Sequence, residues 1–279
     1  MSAYSSYQYF RVTSPAEHVA HVEINNPRRL NAFSQAVWLE YGKVFEQISA
    51  DPAFRVAILS GAGDRAFTSG LDVKSASTDS PLTSSDGDEV RKAKYLRSHI
   101  EEFQTSISAA EKCEKPVICV LHDVSIGLAI DIACCTDIRL CTANTRFAVK
   151  EVDIGLAADI GTLARLPKIV GSLSWVKDVC MTARDFSATE ALAQGFVSQI
   201  HPDKATAVAA AINLASLLAS KSPVAVQGTK ELLNYGKEHT VADSLRYTQV
   251  WNSVALQGED FMTAMMSSMQ KKKPNFSKL

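Results

Sequence analysis

What the chain lacks narrows its chemistry first. No run approaches the roughly 18 consecutive apolar residues of a membrane-spanning helix. Met1 to Phe10 is polar and aromatic, without the basic start and apolar stretch of a secretory signal. No membrane partner is therefore expected. An excess of one charge is missing too: 29 basic residues against 30 acidic ones leave a formal net charge of −1, which offers nucleic acid no general attraction. The six cysteines (Cys113, Cys119, Cys134, Cys135, Cys141 and Cys180) lie mostly in apolar stretches with no CxxC spacing. They read as free buried thiols in a reducing compartment, not as a disulfide framework or metal site. No linker of repeated Gly, Ser or Pro divides these 279 residues. One large domain, or a domain with an appendage, fits that length.

Several familiar catalytic signatures are absent as well. The glycines spell neither a phosphate loop nor a dinucleotide fingerprint. Ser69 has no Gly-x-Ser-x-Gly elbow around it, and none of the six histidines forms a metal pattern with the acids. No metal and no redox cofactor is expected. Acid/base chemistry by carboxylates remains.

The patterns present alternate between strand and helix. Tyr9–Val12 and His18–Ile24 read as short strands, the second ending at the turn Asn25-Asn26-Pro27. Ser34 stands where it would cap a helix running to about Ser49. Val56–Leu59 and Val117–Leu121 are short branched apolar runs that suit buried strands. Between them, Ser75–Asp88 reads as a mobile polar loop. Leu96, Ile100, Phe103, Ile107 and Ala110 mark one face of a long helix. Ser187 and Glu190 spell a capping box, and Gly195 a helix stop. Ser222-Pro223 opens a helix that Gly236 ends, and Asp203–Gln270 is helical almost throughout. The chain is α/β for about 200 residues and helical after that.

Three acids stand in apolar company: Asp131 in Gly127-Leu128-Ala129-Ile130-Asp131, Glu151 after Phe147-Ala148-Val149-Lys150, and Asp159 before Ile160-Gly161. An unpaired ionised acid is costly there, so each asks for a functional or capping explanation. Plainer readings stay open. Asp131 could serve the helix dipole, Asp159 could be an N-cap, and Glu151 could pair with Lys150 or Arg146. A second candidate is Ala66-Phe67-Thr68-Ser69-Gly70-Leu71-Asp72, where small residues would let a ligand carbonyl approach the backbone.

Together these segments resemble the crotonase, or enoyl-CoA hydratase/isomerase, family. Ala66–Asp72 resembles its first oxyanion-loop signature. Lys115-Pro116-Val117, Gly127–Asp131 and Asp137-Ile138-Arg139 resemble its second. Within the family, the stretch from Lys150 to Asp159 and the set Asp131, Glu151, Asp159 look like the dienoyl-CoA isomerase branch. The resemblance implies a spiral of ββα units over residues 1–200 and a helical trimerisation region over 201–279. The assembly would be a trimer or a dimer of trimers. It implies isomerisation of 3,5-dienoyl-CoA to 2,4-dienoyl-CoA in fatty-acid β-oxidation, with CoA as part of the substrate. The thioester oxygen would be held by the N–H groups of Leu71 and Leu128. Asp159 would be the base at C2, Glu151 the acid at C6, and Asp131 would tune Glu151; Asp159 and Glu151 could exchange roles. Hydration of 2-enoyl-CoA, Δ3-Δ2 isomerisation and a weakly active CoA-binding relative are the alternatives. This chain departs from the family pattern at Leu128 and Asp123, where glycines are usual. It ends in Ser277-Lys278-Leu279, a tripeptide read by the peroxisomal import receptor. Lys271-Lys272-Lys273 reads as a solvated tail presenting that address.

Overall fold

The branched apolar runs form the middle of a six-stranded sheet. A computed structural model describes residues 4–72 and 88–279. In spatial order the large sheet holds β1 (Phe10–Ala16), β2 (Val19–Ile24), β3 (Val56–Gly61), β5 (Val117–Leu121), β7 (Ile138–Thr142) and β10 (Gln199–His201). β1 and β2 form an antiparallel pair with Phe10 opposite Ile24; the remaining neighbours are parallel. A smaller sheet holds β4 (Ala66–Thr68), β6 (Val124–Ile126), β8 (Arg146–Ala148) and β9 (Phe186–Ser187). Three times in succession one strand joins the large sheet and the next joins the small one, β3 then β4, β5 then β6, β7 then β8, before the chain turns helical. This is the spiral of ββα units that the sequence implies.

Both faces of the large sheet are covered, which explains why Val56–Leu59 of β3 and all of β5 are continuously apolar rather than alternating. Ala57, Leu59, Val117, Cys119 and Leu121 point into the main core, with Trp38, Tyr41 and Phe45 of the Gln35–Ala50 helix. Val56, Ile58, Ile118 and Val120 point the other way, onto Ala207, Ala211, Ala215 and Ala219. Those alanines recur every four residues along the Lys204–Ala219 helix, so one stripe of small side chains lets the helix lie close to the strands.

Helix boundaries follow the sequence signals with three differences, the first being that the long helix ends at Ile107 and Ala110 lies in a separate helical turn, Ala109–Lys112. Ser34 does precede the Gln35–Ala50 helix, but its hydroxyl makes no capping bond. Ser187 accepts from the Glu190 N–H at 3.2 Å. The return half of the expected capping box is not made, because Arg184 and the Trp175 indole hold the Glu190 carboxylate. Two charge-assisted bonds outweigh one backbone bond there. Most of the expected loop at Ser75–Asp88 lies outside the described residues. Asp88 itself caps the Glu89–Ile107 helix by accepting from the Arg91 N–H.

Beyond Lys204–Ala219 come the Pro223–Gly236, Val241–Ala255 and Glu259–Met269 helices, and no residue of the last two is buried. The tail returns to the core through Arg55, which donates to the carbonyls of Ala219, Phe276 and Ser277. All six cysteines are free and buried. Among the described residues no single helix is long and apolar enough to cross a membrane.

Candidate active site

Strands β4 and β6 run parallel as neighbours, so the turns that follow them leave the small sheet at the same end. Each turn contains a glycine in the left-handed region, Gly70 at φ 92° and Gly127 at φ 57°. Glycine is required by contact as well as by angle at Gly70. A Cβ there would lie 3.1 Å from the Ile126 carbonyl oxygen and 3.5 Å from the Leu128 nitrogen.

The first turn is pinned from below. Asn31, fully buried, donates to the carbonyls of Ala62 and Ala66 and accepts from the Asn26 N–H. The Thr68 hydroxyl donates to the Asn31 carbonyl and accepts from the Gly70 N–H. The Phe33 N–H donates to Gly70 and the Asp72 N–H donates to Phe33, a parallel bridge around Leu71. In such a bridge the N–H of the enclosed residue faces away from its neighbour. The Leu71 N–H therefore points away from Phe33.

In the second turn Gly127 donates to the Ala148 carbonyl, and Leu128 is the first residue of the Leu128–Cys134 helix. The first N–H groups of a helix have no partner inside it. Among the described residues no acceptor meets the N–H of Leu71 or of Leu128. The side chain that replaces glycine at Leu128 is buried in the main core at 4% exposure, so its bulk is absorbed away from the turn. Asp123, the other departure, adopts φ 47°, with the Asn144 amide bonded to its carboxylate. Asp tolerates that conformation better than most side chains.

The three acids lie close enough for their charges to act on one another, and Glu151 lies against the second turn. Asp131 is 1% exposed, and its Oδ1 accepts from both the Thr162 N–H and hydroxyl at 2.6 and 2.7 Å. Burial, and next the Glu151 charge, push its carboxyl up to about 7 against the pull of the two Thr162 bonds. Glu151 opens the 3-10 turn Glu151–Ile154. Burial raises its carboxyl, and the charge of Asp159 adds to this. Its Oε2 is buried without a hydrogen-bond partner among the described residues, while Oε1 lies 3.7 Å from where a Gly127 Cβ would be. Burial also raises Asp159. Asp159 lines a cavity of about 370 Å³ with Gln104, Ser108, Glu111 and Arg165, among others; Glu151 and the two turns do not line it.

The plainer readings of Glu151 and Asp159 do not hold, whereas Asp131 does stand in the first turn of the Leu128–Cys134 helix. The helix after Asp159 is capped by Gly161. Lys150 goes to the Ala183 carbonyl and to Asp153 and Asp185, and Arg146 to Asp185, so neither pairs with Glu151. Asp131 is aimed at Thr162. Thr162 and Gln104 belong to the site's frame and were not legible in the sequence. A threonine after glycine is an ordinary helix start, and Gln104 falls on the polar face of its helix. Carboxyls raised by burial, one of them against a turn with an unpartnered N–H among the described residues, can move protons next to a developing oxyanion.

Comparison with known proteins identifies the family. The enoyl-CoA hydratase/isomerase family profile matches residues 15–278. The mitochondrial Delta(3,5)-Delta(2,4)-dienoyl-CoA isomerase of Rattus norvegicus is 44% identical over 98% of this chain and 84% of its own length. The peroxisomal protein of that name from Arabidopsis thaliana is 38% identical over 100% of this chain and 99% of its own. An enoyl-CoA hydratase from Bacillus anthracis superposes with a TM-score of 0.87 at 24% identity, covering 96% of this chain and 99% of that one, a likeness of fold. Sequence signatures, spiral topology and paired turns converge, and the chain belongs to the enoyl-CoA hydratase/isomerase family.

Proposed function

We propose that this protein isomerises 3,5-dienoyl-CoA to 2,4-dienoyl-CoA in fatty-acid β-oxidation. The observation that carries the reading is the coupled set Asp131, Glu151 and Asp159, all with raised carboxyls, with Glu151 against a turn whose Leu128 N–H meets no acceptor among the described residues. Relatives named for this reaction, similar over nearly the whole chain, support it.

The thioester oxygen accepts from the N–H groups of Leu71 and Leu128. Ionised Asp159 removes a proton from C2. The electron pair spreads through the dienolate, so the double bonds move from C3–C4 and C5–C6 to C2–C3 and C4–C5. Protonated Glu151 delivers its proton to C6. Two carboxyls are needed because the proton leaves one carbon and arrives at another four bonds away. Burial and the charge of Asp159 favour the protonated form of Glu151, and the Glu151 charge in turn raises Asp131, so the three carboxyls titrate as one coupled set. Each turnover leaves Asp159 protonated and Glu151 ionised, and exchange with water restores both. CoA enters and leaves as part of the substrate.

The test is absorbance of the conjugated 2,4-dienoyl thioester as it forms from a 3,5-dienoyl-CoA. A parallel assay with 2-enoyl-CoA scores hydration. Asp159→Asn is expected to abolish loss of deuterium from C2. Retained exchange in that variant overturns the base assignment, and hydration without isomerisation overturns the reaction. For location we propose the peroxisome, on the terminal tripeptide and the peroxisomal plant relative, with the tripeptide read by the import receptor. We further propose that residues 201–279 assemble the chain as a trimer or a dimer of trimers around the residue 1–200 core.

A further inference from the structure

The Asp159 carboxyl has no side-chain partner among the described residues; the bond that lowers its pKa comes from its own backbone N–H. Its aim therefore depends on the backbone that carries it. That backbone is a short irregular stretch between the Glu151–Ile154 turn and the Thr162–Ile169 helix. One end is fixed where Thr162 bonds Asp131. The rest is held from a neighbouring helical segment.

Gln104 Nε2 donates to the Asp159 carbonyl at 2.5 Å. Arg165, one turn into the following helix, donates from Nε to Glu111 and from Nη2 to the Ser108 hydroxyl. Its guanidinium lies directly against the loop, since a Cβ on Gly161 would stand 2.1 Å from Nη1. Gln104, Ser108 and Glu111 are spaced four and three apart, so they form one stripe on the helical run. The Ser108 hydroxyl also donates to the Gln104 carbonyl, tying the stripe to itself. All of these residues line the cavity beside Asp159.

We infer that Gln104 and Arg165 are positioning residues for Asp159: this polar stripe holds the 158–161 loop so that the carboxyl faces the acyl chain. The inference rests on the isomerase reading above. It assigns a role to residues that touch neither the reacting carbons nor the thioester oxygen. A misplacement of about 1 Å at a reacting group can cost about a hundredfold in rate, so losing one anchor of a loop has a measurable consequence.

The experiment compares full-length wild type, Gln104→Ala, Arg165→Met and Arg165→Lys with a 3,5-dienoyl-CoA, with thermal unfolding as the control for folding. Gln104→Ala is expected to lower kcat about tenfold to a hundredfold with KM within about twofold. The acid limb of its pH profile should move to lower pH, because a loosened loop admits water to a carboxyl that burial had raised. Arg165→Met should act in the same direction. Arg165→Lys should not rescue it, since an ammonium cannot reproduce the fork to Glu111 and Ser108. In an Asp159→Asn background, Gln104→Ala should add little further loss, as expected of groups acting through one another. Should Arg165→Met fail to fold, Gln104→Ala, on a solvent-facing helix position, decides alone. Wild-type kcat in Gln104→Ala, an unmoved acid limb, or full additivity with Asp159→Asn overturns the inference. If wild type is active and Asp159→Asn is not, such a result leaves the isomerase reading intact. If wild type itself fails to isomerise, the reading falls and the inference with it.

Discussion

At the residue scale, the site depends on how far protein burial can hold carboxyls away from their ordinary ionisation. Asp131 carries the largest such effect, raised from 3.8 to about 7. The sign of the linkage is fixed by that direction. Between those values the folded chain keeps a proton that the unfolded chain has released, so stability falls as pH rises through the window and levels off above it. The contribution is on the order of 4 kcal/mol, and the raised carboxyls of Glu151 and Asp159 act in the same sense. Asp131→Asn, which can still accept from Thr162, is expected to flatten this dependence. Urea unfolding at pH 5 and pH 8 checks it: wild type should lose more stability over that interval than the variant. The acids were legible in the sequence because charge in apolar company is conspicuous. Thr162, Gln104 and Arg165 were not, because each is an ordinary residue in an ordinary helical position until the chain folds back on itself.

Among the elements, the Leu128–Cys134 helix makes the clearest prediction. Its first residue needs no N–H for the helix itself, and proline is tolerated at that position. Leu128→Pro therefore removes the donor assigned to the thioester oxygen while leaving the helix able to form. A fall in kcat of about 100- to 1,000-fold is expected, with circular dichroism showing retained helix. Unchanged kcat would remove Leu128 from the oxyanion site. Gly70→Ala tests the same contact from the other turn. A Cβ at φ 92° and 3.1 Å from the Ile126 carbonyl would push the two turns apart, so kcat should fall by at least about tenfold. The long strands β3 and β5 were readable from runs of branched residues. β4, β6, β8 and β9, only two or three residues each, were not, since a strand that short carries no period. Yet three of them lead into the functional turns or the acid-bearing loop.

For the whole molecule, the last two helices expose Val250, Val254, Met262, Met266 and Met269 and bury nothing. So much apolar surface on consecutive helices marks an interaction face. We expect light scattering to give a multiple of three chains, and Met262→Glu with Met266→Glu to shift the mass toward the monomer. If wild type is monomeric at micromolar concentration, the proposed assembly is wrong.

The sheet covered on both sides has a further consequence, for time rather than for shape. β3 and β5 lie between other strands with a core above and an alanine stripe below, so their amide hydrogens have no local route to solvent. They should exchange only when the entire chain unfolds. The Glu151–Gly161 stretch, built of a 3-10 turn and irregular backbone, has few such restraints and should exchange orders of magnitude faster. An acyl chain can then come and go through brief openings on one flank while the strands that set the two turns never loosen.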